Sequence, residues 1–161
     1  PALRPEAVKQ LTWLVSHYPA NGRFQLRLIS LLLIMTDFEG TLNAISNYLE
    51  KSHRPAEPEL SITKILKARA FLGLNETELA AKAFSEMNSV FLPKRDGIPD
   101  WAVAWYLLTD GQLHDLANRR DQAIAAYRQL LSMAKEPSVS APLIEAARAG
   151  LSEPYRLRSD Q

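Results

Sequence analysis

Apolar residues recur every three to four positions along most of the chain, and strict apolar–polar alternation is scarce. Val8, Leu11, Leu14 and Tyr18 form one such stripe, which predicts a helix over residues 4–18. Trp13 lies off that stripe. Similar stripes predict about eight helices and no strands, so the expected fold class is all-α, built from antiparallel helix pairs.

Residues that favour helix ends separate these stripes. Asp37 and Asp100 each precede an apolar stripe and are predicted N-caps. Asn75, followed by Glu78 three residues later, resembles a capping box and predicts another helix start. Pro154 is expected to stop the last helix, because proline clashes with the preceding turn.

A spacing of 12 residues recurs in three of the predicted helix pairs. It separates Ile29 from Thr41, Ala68 from Ala80, and Gly111 from Ala123. A large residue follows the second position by four in every pair, namely Ile45, Phe84 and Tyr127. Small residues let two helices approach closely, and the large residue then fills the space beside them. The chain therefore contains an internal repeat.

This pattern resembles the tetratricopeptide repeat, W-x₂-L-G-x₂-Y, then A-x₃-F, then P, over 34 residues. The third pair matches best, through Gly111, Ala123, Tyr127 and Pro137, while His114 stands at the family's tyrosine. The first positions of the three pairs are 39 and 43 residues apart. The connectors 52–58 and 92–100 are therefore roughly five and nine residues longer than the family pattern allows.

The resemblance implies a single domain, residues 1–161, that forms a short α-solenoid. Its parts are expected at residues 4–18 for an N-terminal capping helix, 23–52, 60–91 and 101–135 for three helix pairs, and 141–152 for a C-terminal capping helix. An unrelated helical bundle is the alternative. Pro1, in place of Met, indicates a piece of a longer protein.

The composition of the chain excludes several classes of function. The chain has no cysteine, which excludes thiolate catalysis, zinc–cysteine sites and iron–sulfur clusters. Its 19 basic and 18 acidic residues give a formal charge of +1, so no nucleic-acid partner is expected. The longest apolar run, residues 28–35, is far shorter than the ~20 residues that span a bilayer, and no membrane insertion by this segment is expected.

Catalytic signatures are missing from the sequence as well. It has no phosphate-binding loop, dinucleotide fingerprint, nucleophile elbow or H-E-x-x-H motif. His114 beside Asp115 could act as an oriented general base, but adjacent residues on a helix point about 100° apart. A packing role for His114 is the favoured interpretation. The chain is therefore predicted to be non-enzymatic, with no catalytic, cofactor or metal site.

The tetratricopeptide resemblance also implies a partner-binding surface. In that family the first helix of each pair lines a concave face that binds peptides. The corresponding positions here are Arg23, Ser30, Arg69, Leu72, Trp105, Leu108, Gln112 and Asp115. Trp105 and Arg69 are the strongest candidates, because tryptophan and arginine are enriched at interface hot spots. Their replacement by alanine is expected to weaken partner capture and leave the melting profile nearly unchanged.

The predicted function is a protein–protein interaction module, an adaptor or assembly scaffold that binds a peptide or partner protein. These residues do not supply the lysine, asparagine and arginine clamp with which family members bind chaperone tails. One candidate role is that of the soluble part of a bacterial envelope or secretion assembly. The alternative is a regulatory or dimerisation domain attached to an enzyme or sensor outside this segment. Homo-oligomerisation is open, and both the cytoplasm and the periplasm are compatible with the composition.

Overall fold

The computed structural model describes residues 3–19, 21–51, 55–87 and 98–157. These residues form eight α-helices and no strand, which confirms the all-α prediction. The helices are α1 (Leu3–His17), α2 (Gly22–Ile34), α3 (Phe38–Lys51), α4 (Glu57–Gly73), α5 (Thr77–Ser85), α6 (Asp100–Leu116), α7 (Arg120–Ser132) and α8 (Ala141–Ser152).

The chain divides into two compact units, Pro1–Asn88 and Ser89–Gln161. In the first unit, α1 packs against α2, and α2 pairs with α3. Helix α4 then packs against α2, α3 and its own partner α5. In the second unit, α6 pairs with α7, and α8 packs against both. Each unit therefore contains a helix pair on which the next helix along the chain rests.

The residues that mark the repeat lie in the interiors of these units. Both positions of all three 12-residue spacings are buried, as are Ile45 and Tyr127, whereas Phe84 is half-buried. The remaining core positions of the first unit include Ile65 and Leu66, and those of the second include Leu107 and Leu130. The spacing thus identifies positions that are buried inside the two units.

The turns inside the three helix pairs have one shared backbone conformation. Thr36, Asn75 and Asn118 each adopt a positive φ, of 62°, 64° and 57°. Each lies seven residues after the first marker of its pair and five before the second. The next residue donates its backbone N–H to a carbonyl five residues back in every case, over 2.8 to 3.0 Å. This left-handed C-terminal cap with a 6→1 hydrogen bond is a Schellman motif.

Several predicted helix ends are confirmed and others are wrong. Asp37 caps α3 by accepting a 2.9 Å hydrogen bond from the Gly40 backbone, and α8 has the predicted bounds. Asp100, however, is the first residue of α6 and not its cap. Asn75 adopts a left-handed conformation in the turn after α4, and the N-cap of α5 is Glu76 instead.

The predicted connectors also need correction. Helix α4 begins three residues earlier than expected, so Pro58 lies in its first turn. Proline is tolerated there because a backbone N–H in the first turn has no partner within the helix. Residues 52–54 and 88–97 lie outside the described residues; they include the start of the first connector, most of the second and the end of the second predicted pair.

Candidate functional site

Most residues of the predicted concave face are buried. Six of the eight are at most 7% exposed: Ser30, Leu72, Trp105, Leu108, Gln112 and Asp115. Arg23 is exposed and Arg69 is half-buried. A buried side chain cannot contact a partner unless the structure rearranges, so these two arginines are the accessible members of the predicted set. The burial of Trp105 also argues against an unchanged melting profile for W105A.

Asp115 is the centre of a hydrogen-bond network in the second unit. Its carboxylate accepts bonds from Arg120 Nη1 at 2.9 and 3.2 Å, from the Tyr127 hydroxyl at 2.8 Å and from the Tyr155 backbone N–H at 2.8 Å. Arg120 Nη2 also donates to the carbonyl of Leu151 at 2.9 Å. These bonds join α6, α7, the end of α8 and the segment that follows it.

Tyr127 occupies a space that two glycines create. A Cβ on Gly111 of α6 would lie 2.5 Å from its ring, and a Cβ on Gly150 of α8 would lie 2.6 Å from the opposite ring edge. Burial, followed by the hydrogen bond to Asp115 and that residue's charge, raises the pKa of Tyr127 far above its ordinary value of 10.0. Tyr127 is therefore a neutral hydrogen-bond donor on α7 whose ring packs against both α6 and α8.

His114 pairs with a residue one helical turn away and not with its sequence neighbour. Its Nε2 lies 3.5 Å from Asp110 Oδ1, whereas Asp115 bonds to Arg120 and Tyr127. Burial raises the pKa of Asp110 above 3.8, although the neighbouring His114 and Arg119 act to lower it. The His114–Asp115 general-base arrangement is thus not formed.

An open cleft of about 730 Å³ lies in the first unit, beside the junction of α1 and α2. We call it the α1–α2 cleft. It is lined by His17, Tyr18, Pro19, Asn21, Gly22, Arg23 and Glu59. Asn21 caps α2 by accepting a 3.1 Å hydrogen bond from the Arg23 backbone. The cleft includes Arg23, the most accessible residue of the predicted site.

Glu59 lines the α1–α2 cleft and accepts two hydrogen bonds there. Its Oε2 accepts a 2.8 Å hydrogen bond from the Tyr48 hydroxyl and a 3.3 Å bond from the Ala56 backbone N–H. A Cβ on Gly22 would lie 2.6 Å from Glu59 Oε1 and 2.9 Å from the Tyr48 hydroxyl oxygen. Helix α2 therefore lies close to the Glu59 carboxylate of α4 at Gly22.

Exposed aromatic residues border the α1–α2 cleft. Trp13 is 55% exposed and stacks on His17, with ring centroids 4.1 Å apart. Tyr18 is 54% exposed and meets Phe24 edge to face. Trp13 was not among the predicted site residues, although its place off the apolar stripe of α1 was a usable signal. An aromatic residue off the buried stripe of an amphipathic helix faces solvent.

No family model matches the chain, and neither a curated protein nor a solved structure matches it. Among the residues that the structure describes, no group of three or more histidine, aspartate or glutamate side chains could hold a metal ion. Within the same ranges, no helix is long and apolar enough to cross a membrane.

Proposed function

We propose that this chain is a non-enzymatic protein–protein interaction module built from tetratricopeptide-like helix pairs, and that a partner protein or peptide binds at the α1–α2 cleft. The observation that carries the proposal is the exposure of Trp13 and Tyr18 beside this open cleft. Large aromatic side chains lose apolar surface from water when a partner covers them, and tryptophan and tyrosine are enriched among the residues that dominate binding energy.

The three turns of the same type support the tetratricopeptide-like repeat in this proposal. A shared Schellman motif at one register in each helix pair is the expected result of a repeated structural unit. Helix packing inside each unit also supports a repeat. The first helix of the pair contacts the helix that follows the pair: α2 contacts α4, and α6 contacts α8. Nearest-neighbour packing of this kind is typical of α-solenoids.

Helix α8 has the features of a capping helix. Gly150 follows Gly111 by 39 residues, the same spacing that separates Ala68 from Ile29. When Gly150 is aligned with Ala68, the buried residues Thr63, Leu66 and Ala70 of α4 correspond to the exposed residues Glu145, Arg148 and Ser152 of α8. A polar outer face suits the terminal helix of a repeat array.

A photo-crosslinking amino acid at position 13 tests the proposal in cells that produce the full chain. Position 79 is the matched control, because Leu79 is also a large apolar residue with 45% exposure, on α5. We expect one partner protein to be crosslinked from position 13 and not from position 79. The purified partner should then bind W13A more weakly than L79A.

Equal crosslinking at both positions, or equal affinity of W13A and the wild type for the purified partner, would contradict the proposal. A crosslink from position 13 to a second copy of this chain would favour the dimerisation alternative and overturn the adaptor role. Melting curves of both alanine variants show whether a binding loss reflects unfolding.

A further inference from the structure

The α1–α2 cleft contains a carboxylate whose charge no described residue neutralises. Glu59 accepts hydrogen bonds from the Tyr48 hydroxyl and the Ala56 backbone, both of which are uncharged donors. It forms no ion pair with any arginine, lysine or histidine of the described ranges. A half-buried carboxylate is less well hydrated than an exposed one, so a cation brought beside it gains more than it would at the open surface.

The geometry of the carboxylate leaves one oxygen available. Both hydrogen bonds go to Oε2, whereas Oε1 accepts none from the described residues and borders Gly22. Gly22 and Glu59 both line the cleft. Tyr48 and Ala56 therefore orient the group from one side, and its second oxygen can serve as an acceptor for a ligand.

An aromatic ring stands on the same cleft. Tyr18 lines it and is 54% exposed. The face of a tyrosine ring attracts a cation held within about 6 Å of its centre, and arginine also stacks on such rings. Carboxylate and ring together match a guanidinium or ammonium group, which needs both a counter-ion and an apolar contact for its side-chain stem.

We propose that the α1–α2 cleft binds a basic side chain, an arginine or lysine of the partner segment, with Glu59 as its counter-ion and Tyr18 as its stacking surface. This inference rests on the proposed function and names the chemistry of the partner. Arg23 is exposed on the same cleft and opposes the bound cation by like charge. Glu59 and Arg23 therefore act on the affinity in opposite directions.

The test is an NMR titration of the full ¹⁵N-labelled chain with blocked tripeptides that carry a central arginine or a central glutamate. The arginine peptide should shift the Gly22 and Glu59 amides saturably, and the glutamate peptide should not. E59Q should weaken arginine binding about three- to fivefold, the effect of losing one partly exposed ion pair, and R23Q should strengthen it. E57Q removes the same charge from an exposed position of α4 and should leave the affinity unchanged.

Y48F provides the structural control, because it removes a hydrogen bond to Glu59 without changing the charge of the cleft. It should keep the preference for arginine over glutamate. Equal binding of the two peptides, an E59Q affinity equal to the wild type, or weaker binding by R23Q would overturn the inference. If position 13 still crosslinks to a partner in that case, the proposed function stands and only the cationic ligand is wrong. If the crosslink is also absent, both fail.

Discussion

The Tyr127 hydroxyl donates a 2.8 Å hydrogen bond to Asp115 Oδ2 while its ring lies between Gly111 and Gly150. One side chain thereby connects a helix pair to the helix that packs on it. The first unit contains a related contact, since Tyr48 of α3 donates to Glu59 of α4 over 2.8 Å. In each unit a tyrosine on the second helix of a pair bonds to a carboxylate on a first helix.

Removal of the Tyr127 hydroxyl should destabilise the second unit. Y127F keeps the ring between the glycines but deletes a bond to a charged acceptor, so we expect a loss of about 1.5–3 kcal/mol in the free energy of unfolding. D115A should cost more, because it leaves Arg120 and the Tyr127 hydroxyl without their partner. Urea unfolding followed by circular dichroism measures both. Y18F, at an exposed tyrosine, is the control, and an equal effect of Y18F and Y127F would contradict this role.

Replacement of Thr36 by asparagine should stabilise the protein. Thr36 is β-branched and has a φ of 62°, whereas the corresponding turns use Asn75 and Asn118. Left-handed conformations cost an ordinary residue roughly 1–2 kcal/mol, and asparagine tolerates them better. T36N is therefore expected to raise the unfolding free energy by about 1 kcal/mol, and N75T to lower it by a similar amount. A lower melting temperature for T36N would refute the strain at this turn.

The ionisation of Asp110 should make the second unit less stable as the pH rises. Burial raises its pKa above 3.8 in the folded protein, so the unfolded chain loses this proton at a lower pH than the folded chain does. The stabilising contribution is full below the unfolded-state pKa and is lost as the pH rises through the folded-state pKa. The stability of D110N minus that of the wild type should therefore increase from pH 3 to pH 7 in urea titrations. A stability difference that stays constant or decreases as the pH rises would contradict a raised pKa for Asp110 in the folded protein.

Substitution of Trp105 should destabilise the protein, whereas substitution of Trp13 should leave its stability nearly unchanged. Trp105 is 4% exposed, and W105A should cost about 3–5 kcal/mol of stability, in line with other large-to-small core substitutions. Trp13 is 55% exposed, and W13A should change stability by no more than about 0.5 kcal/mol. Thermal melts of the two variants measure this. Equal losses would show that Trp13 belongs to the core and is not part of a binding surface.

The sequence was sufficient to predict the helix pairs because their signals are local. The 12-residue spacing, the bounds of α8 and the Asp37 cap depend on residues no more than 12 positions apart in the chain. The shared turn at Thr36, Asn75 and Asn118 was missed, since threonine is an unusual residue at a positive φ.

The environment of Asp115 could not be derived in the same way. Its partner Tyr155 lies 40 residues away along the chain, and no periodic pattern connects the two residues. Alignment with a known repeat assigned Asp115 to a binding face, whereas the structure uses its carboxylate to join helices. Arg23 was selected by the same alignment and does line the α1–α2 cleft.

NMR shift mapping of the full chain with the purified partner identified through position 13 tests directly whether that partner binds at the α1–α2 cleft. If the partner binds at the α1–α2 cleft, the largest amide shifts will lie within residues 13–23 and at Glu59. If the largest shifts instead surround the exposed residues Leu49, Leu74 and Leu79, while residues 13–23 stay unchanged, the α1–α2 cleft is not the binding site.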